Sequence, residues 1–304
     1  MNKKLTAFLA LVIILAFMGY IIYDAITEPG RKGEPSTAKD TTYYDNWSVD
    51  RTVHLAGAKL TSVTVSDDGT VFLAGDSFIR SLKGDLTDKW NIKTESKITS
   101  LALSGDTLFA AMAGTILLVS TEGRLITEWG PYEENSLITS VTADKGLVVF
   151  ADAGNKLIFV LKKNGELQSL IGQSEEKFVI PSAYFDVALS DNKLFAANTG
   201  NRRVETWTTD GKKLSQFGEP GTAPGAFCGC CNPSHFAVIP QGFVTAEKGI
   251  NRIKILGPEG NFIEFVSANN NFVPSVPLDV ASADGKTIYA VNSADATLYI
   301  YKRK

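Results

Sequence analysis

The sequence predicts an all-β chain, a six-bladed β-propeller carried behind an N-terminal transmembrane helix. Three observations lead there. A short apolar segment recurs six times, as VFLAG, LFAAM, VVFAD, LFAAN, FVTAE and IYAVN, starting at Val71, Leu108, Val148, Leu194, Phe243 and Ile288, 37 to 49 residues apart. After residue 45 no useful stretch has helical periodicity, whereas β-branched and aromatic residues cluster in short strands. Finally, residues 5–23 (LTAFLALVIILAFMGYIIY) contain no charge. With 44% hydrophobic and 21% charged residues, the chain has the material for a large core and is not disordered.

As a helix, residues 5–23 span about 28 Å, the thickness of a bilayer core. Lys3 and Lys4 precede this run, and Tyr20 and Tyr23 sit where an interfacial aromatic belt would lie. A cleaved signal peptide is the rival reading. Its apolar region is usually shorter and ends in small residues, whereas this one ends in Met18-Gly19-Tyr20-Ile21-Ile22-Tyr23. The two N-terminal lysines favour an inside N-terminus, partly offset by Arg31, Lys32 and Lys39. The expected organisation is an anchor over residues 1–27, a polar Pro- and Gly-containing linker over 28–45, and a propeller over 46–304. The expected location is a membrane, through residues 5–23, with the propeller outside the cytoplasm.

Each unit then unfolds as a meander. An apolar strand precedes every repeated segment: LTSVTVS from Leu60, ITSLALS from Ile98, ITSVTAD from Ile138, FDVALS from Phe185, HFAVI from His235 and LDVASA from Leu278. In most units a third strand and a glycine turn follow, as at Thr121-Glu122-Gly123 and Pro258-Glu259-Gly260. Units of this length with four short strands suit propeller blades, which bury both faces against their neighbours. The sixth unit ends after its third strand, 297–301. Residues 48–55 (SVDRTVHL) are therefore expected to supply its outer strand and close the ring.

Blade four, LFAANTGNRRVETWTTDGKKLSQFGEPGTAPGAF over 194–227, and blade five, FVTAEKGINRIKILGPEG over 243–260, resemble the NHL-repeat family. Asp152-Ala153-Gly154-Asn155-Lys156 repeats the same turn more weakly. The resemblance covers about residues 46–304 and implies a six-bladed propeller. It leaves function open, because family members include binding scaffolds, enzymes and RNA-binding modules. The family's lyase type with histidine-bound zinc matches poorly, since His54 and His235 are the chain's two histidines. A balance of 30 basic to 33 acidic residues argues against nucleic acid as a partner.

All three cysteines, Cys228, Cys230 and Cys231, fall within four residues, and the family pattern has no thiols there. The blade-four to blade-five loop that carries them arrives beside the central channel, and His235 starts the next inner strand. Three readings follow. Thiolates with His235 could hold a transition metal as cofactor, although CxCC-xxx-H is not a standard zinc spacing. A disulfide within the cluster is the second, and a Cys230–Cys231 bridge would be strained because adjacent Cα atoms lie about 3.8 Å apart. Packed free thiols are the third. The same face is expected to receive Asn198, Asn201, Arg203, Glu247, Lys248, Asn251 and Arg252. Of these, Asn201, Arg203, Glu247, Lys248 and Arg252 are the candidate ligand-binding residues, with structural ion pairing with neighbouring blades the default role of the arginines and turn-forming backbone hydrogen bonds the favoured role of Asn201. Asp186 and Asp279 stand where other blades have Ser62, Ser100 and Ser140, and could line the channel and bind a cation. His54 is expected to be structural. The expected function is a binding or assembly module for a protein partner, with a thiol or metal site at the channel mouth. The alternative is a metal-dependent propeller hydrolase, lyase or lactonase.

Overall fold

The computed structural model describes residues 10–20, 23, 46–173, 177–229, 231–268 and 272–304. The chain divides into two compact units, Met1–Thr42 and Tyr43–Lys304. Of the first unit, residues 10–20 and 23 are described, and they are helical. Among the described residues no helix is long and apolar enough to cross a membrane. The expected span of 5–23 falls partly outside them.

The second unit is six antiparallel four-stranded sheets, the predicted blades. Inner strands are Leu60–Val65, Ser100–Ser104, Ile138–Asp144, Val187–Ser190, His235–Ile239 and Leu278–Ala281. Second strands are Val71–Gly75, Thr107–Ala111, Leu147–Asp152, Lys193–Asn198, Gly242–Ala246 and Thr287–Asn292, matching the six repeated segments. They are the most deeply buried of the four. Three of them, Val71–Gly75, Thr107–Ala111 and Gly242–Ala246, are buried at every position. A strand covered on both faces needs apolar residues throughout, which is why these segments carried the repeat signal.

Outer strands complete blades one to five, at Asp88–Lys93, Leu125–Trp129, Leu167–Ile171, Lys213–Phe217 and Phe262–Ser267. In blade six this place is taken by Trp47–His54, antiparallel to Thr297–Arg303 with Trp47 opposite Arg303 and His54 opposite Thr297. The ring therefore closes between the two ends of the unit, as the short sixth repeat required. His54 has its structural role here, its Nδ1 lying 3.2 Å from Thr297 Oγ1.

Among the described residues there is no central core. Six buried apolar clusters instead fill the wedges between blades, one at each seam. At the blade-three to blade-four seam, Ile158 and Val160 meet Phe185, Leu194 and Trp207. At the closing blade, Trp47 and Tyr301 join Ile253, Phe272 and Leu278. Outer strands add a repeated clasp across neighbouring blades. Trp90 lies against Gly123 and donates its indole N–H to Thr121 O at 2.8 Å, and Phe217 covers Gly260 in the same way. Both glycines have positive φ, and a Cβ there would strike the ring. The turn needs glycine for its backbone, and the missing side chain gives the aromatic its seat.

Candidate functional site at the channel mouth

On each inner strand, or directly before it in the case of Asp186, one polar residue stands at a common level: Ser62, Ser100, Ser140, Asp186, His235 and Asp279. Five of these six side chains accept a hydrogen bond from the backbone of the next blade. Leu101 N donates to Ser62 Oγ at 3.0 Å, Val141 N to Ser100 Oγ at 3.1 Å and Val187 N to Ser140 Oγ at 3.2 Å. Phe236 N donates to Asp186 Oδ2 at 2.7 Å, and Val63 N to Asp279 Oδ2 at 2.9 Å, which completes the circuit from blade six to blade one. Each bond satisfies an amide that the neighbouring sheet leaves unpaired at the channel.

His235 differs. Its Nδ1 lies 3.8 Å from Asp186 Oδ2 and 3.5 Å from Asp279 Oδ1. Three adjacent blades thus place a carboxylate, an imidazole and a carboxylate in a row. Asp186 is buried, and that burial pushes its carboxyl up to about 6 against the opposing pulls of His235 and the Ser140 hydroxyl.

The sign follows by linkage. A carboxyl whose folded-state pKa lies above its unfolded value stabilises the fold fully at low pH, and this contribution is lost as pH rises through about 6. The displacement from 3.8 corresponds to roughly 3 kcal/mol. Asp186→Asn keeps an acceptor for Phe236 N but cannot ionise. Melting followed from pH 4 to pH 8 should show the wild type losing stability relative to Asp186→Asn by up to that amount. A constant difference across the range would show that Asp186 does not titrate in the fold.

Above this row opens a cavity of about 950 Å³. His235 and Asp279 are part of its wall, with Tyr184, Met112 and Pro277 as the larger uncharged side chains, and Lys93, Glu95, Lys97 and Glu128 as further charges. Thr61, Thr99 and Thr139 contribute a collar of hydroxyls, each donating to a backbone carbonyl, as Thr139 Oγ1 does to Phe185 O at 2.6 Å. The mouth is mixed in charge and wide enough for a small molecule or an inserted side-chain cluster.

The cysteines, expected at the channel mouth, are not part of this wall as far as they are described: neither Cys228 nor Cys231 lines the cavity. Cys228 is buried and its thiol is free. Its Sγ donates to Lys248 O at 3.4 Å. Burial, assisted by the Glu247 carboxylate, pushes this thiol up, which disfavours the thiolate needed for metal binding or nucleophilic reaction. Cys231 is buried and accepts a hydrogen bond from Ser182 Oγ at 2.9 Å. Asn232 knots the loop, donating to Cys228 O at 2.6 Å and to Lys248 O at 2.8 Å while accepting from Lys248 N at 2.9 Å. Cys230 lies outside the described residues. Among the described residues no group of three His, Cys, Asp or Glu side chains is arranged to hold a metal ion. His235, expected beside the thiols, pairs instead with the two aspartates. The reason is strand geometry: as the first residue of an inner strand its side chain faces the channel, whereas Cys231 turns toward the Ser182 segment.

The candidate ligand-binding residues separate into two groups. Arg252 and Glu247 are buried and paired, with Arg252 Nε 2.7 Å from Glu247 Oε1. Arg252 also donates to the carbonyls of Thr222, Ala223 and Ala226, and Glu247 Oε2 accepts from Cys228 N at 3.1 Å. Lys254 is fully buried and reaches both Glu247 Oε1 at 2.9 Å and Ala226 O at 2.6 Å. These groups fix the shape of the loop that carries the cysteines. Arg203 is half-buried and pairs with Glu205, on its own blade rather than on a neighbour. Asn201 ends the short 3-10 turn Thr199–Asn201. None of the five candidates lines the cavity; Lys248 reaches it indirectly, its Nζ 4.5 Å from the ring of Tyr184, a residue of the wall.

One device was missed in the sequence. The residue at or just past the end of the second strand receives an amide of the incoming loop: Leu137 N donates to Asp152 Oδ1, Val179 N to Asn198 Oδ1 and Cys228 N to Glu247 Oε2. The recurring Asp, Asn and Glu at the last position of the repeated segments VVFAD, LFAAN and FVTAE are its signal.

In fold the chain is similar to virginiamycin B lyase from Staphylococcus aureus, with a TM-score of 0.61 over 85% of this chain and 100% of that one at 15% identity. A streptogramin B lyase superposes with a TM-score of 0.62 over 85% of this chain and 98% of that one at 14% identity. The WD40 β-propeller domain of Doa1 does so with a TM-score of 0.61 over 86% and 98%, at 13% identity. At these identities the likeness is one of fold. No family model matches the chain, and no curated protein sequence does.

Proposed function

We propose that the chain is an NHL-like propeller, anchored in a membrane with the propeller outside the cytoplasm, that binds a protein partner at the channel mouth. The observation that carries the reading is the 950 Å³ cavity at the channel mouth, whose wall carries Lys93, Glu95, Lys97, Glu128, His235 and Asp279. A concave, pre-shaped mouth with a mixed polar wall suits recognition, since little ordering remains to be done on binding. Tyr184 and Lys248 tie that wall to the cysteine loop. Support for the anchor comes from the sequence of residues 5–23 and from the exposure of Leu11, Val12, Ile13, Ile14, Leu15, Phe17 and Met18 in the described helix.

Two measurements test it. A reporter active only outside the cytoplasm, fused after Lys304, should be active, and the chain should sediment with membranes and require detergent for release. Recovery of a soluble form lacking its N-terminus would end the anchor reading. Photo-crosslinkers placed at Thr115 and Ser293, in the cavity wall, should give discrete protein adducts. One placed at Asp210, in a turn between third and outer strands, should not. Equal labelling from both faces would remove the mouth as the binding site.

A further inference from the structure

We infer that the partner enters the mouth by an aromatic side chain, which seats between blades one and two in a place that four other seams fill with an aromatic of their own. The inference deepens the reading of the mouth as a protein-binding site and rests on it for the partner. The connections from each outer strand to the next inner strand give the first reason. Tyr132, between blades two and three, lies against Phe150 and Phe159, with ring centroids 4.5 and 5.7 Å away. Phe178, on the next connection, meets Trp207 at 5.5 Å, and Phe227, on the one after, has Lys254 Nζ 4.4 Å from its ring centroid. Phe272, between blades five and six, meets Tyr299 at 5.3 Å. Each time the ring covers the third strand of the following blade. Phe159, Lys254 and Tyr299 share one register position, opposite the third residue of the repeated segment at Phe150, Thr245 and Ala290. Between blades six and one, Leu55 packs on the seam together with Phe78.

The seam between blades one and two has no such cover. Its connection, residues 93–97 (KTESK), is polar throughout. Ile92 pairs with Ile79 opposite Ala74 as Trp129 pairs with Ile116 opposite Ala111, so these five residues stand where the eight of 130–137 (GPYEENSL) stand one blade on. The third-strand position of Phe159, Lys254 and Tyr299 is here Leu117, opposite Ala110. Leu117, Ile92 and Met112 are partly buried on the seam cluster and Leu125 is 66% exposed. All four line the cavity, whose wall also includes His235 and Asp279 at the channel. The opening is therefore an unfilled seat continuous with the mouth. Apolar walls open to water gain from a ring that covers them, and aromatic rings in pockets are among the strongest anchors at interfaces. Lys93, Glu95, Lys97 and Glu128 share the cavity wall and enter none of the described ion pairs, which leaves both signs available to charges flanking the ring.

The probe is the octapeptide of residues 130–137, which carries the ring and the flanking residues that close the next seam. By NMR line broadening it should bind the full-length protein with a dissociation constant of about 1 mM or tighter, and a peptide with alanine for its tyrosine should bind at least about tenfold more weakly. Leu125→Lys, at an exposed position, should weaken the tyrosine peptide by a similar factor and leave the melting temperature unchanged. A second measurement needs no free peptide. Replacing residues 93–97 by GPYEENSL should fill the seat from within, and this graft should melt about 4 °C or more above the same graft with alanine for its tyrosine. No peptide binding, binding indifferent to the tyrosine or to Leu125→Lys, or two grafts that melt alike would each overturn the inference. Sedimentation of the wild type as a dimer that Leu125→Lys dissociates would assign the seat to a second copy and overturn it too. None of these measurements uses a cellular partner, so their outcome is separate from that of the adducts at Thr115 and Ser293, which test the mouth itself.

Discussion

Deleting residues 46–56 is expected to lower the melting temperature by more than about 10 °C and to make the protein bind hydrophobic dyes. The deletion removes the strand that pairs with Thr297–Arg303 along its whole length. It also removes Trp47, which is almost fully buried against Ile253, Phe272, Leu278 and Tyr301. Loss of a buried tryptophan side chain alone costs about 3–5 kcal/mol, and a chain of this size loses roughly 2–4 °C per kcal/mol. The exposed strand edge adds a route to aggregation that a buried point variant does not create. A synthetic peptide of residues 46–56 added in trans should restore part of the loss. An unchanged melting temperature would show that the ring does not depend on this closure.

Replacing Glu247 by glutamine should cost about 3–5 kcal/mol, read as a fall of roughly 6–20 °C in thermal melting by circular dichroism. The reason is the imbalance left behind. Glu247 is the carboxylate shared by Arg252 and Lys254, both buried, and burial already pulls the Lys254 ammonium down to about 8. Without the carboxylate, two cations remain in a dry site. Glutamine retains an acceptor for Cys228 N, so the loss comes from charge and not from the loop's hydrogen bond. The double variant Glu247→Gln/Lys254→Met should therefore recover part of the stability, because it removes one of the stranded charges and leaves an apolar stem against Phe227. If Glu247→Gln alone melts within about 2 °C of the wild type, the network contributes little and the loop is held by its backbone bonds.

The blades were legible because a strand buried on both faces must be apolar throughout, and VFLAG, LFAAM and their counterparts carry that requirement in every unit. Closure was legible too, since a sixth unit without an outer strand leaves one edge and residues 48–55 were available to fill it. The site was read less well. His235 follows Cys231 by four residues, and nearness in sequence suggested a shared site. Alignment of the inner strands carries the better signal, because it sets His235 in one column with Ser62, Ser100, Ser140, Asp186 and Asp279, and a shared column on inner strands means a shared level on the channel wall. The arginines illustrate another limit. Arg203 and Arg252 were expected to pair with neighbouring blades, but their partners are Glu205 two residues on and Glu247 five residues back. Side chains that long fold back across adjacent strands of one sheet, and nothing in residue spacing indicates which way they turn. Blade five also holds Lys254 where blade four holds Glu205, opposite Thr245 and Ala196 respectively. The exchange of sign is matched by Glu247 in place of Asn198, a compensation visible only once the strands are paired.

The pairing of Trp47–His54 with Thr297–Arg303 also sets a timetable for biosynthesis. Trp47 and Arg303 are partners separated by 256 positions in the chain. At ordinary translation speeds of about 5–20 residues per second, the first strand waits roughly 10 to 50 s before its partner has been made. Throughout that interval blade one presents Leu60, Val63 and Leu73 without the blade-six residues Val291, Leu298 and Ile300 that later cover them. The last contact of the ring is therefore the one of longest sequence separation, and the nascent chain carries an open apolar face until blade six has been made. Cells making this protein should need a holding factor for that face, and slowing elongation over the final blade should lower the yield of closed rings more than the same delay in blade two.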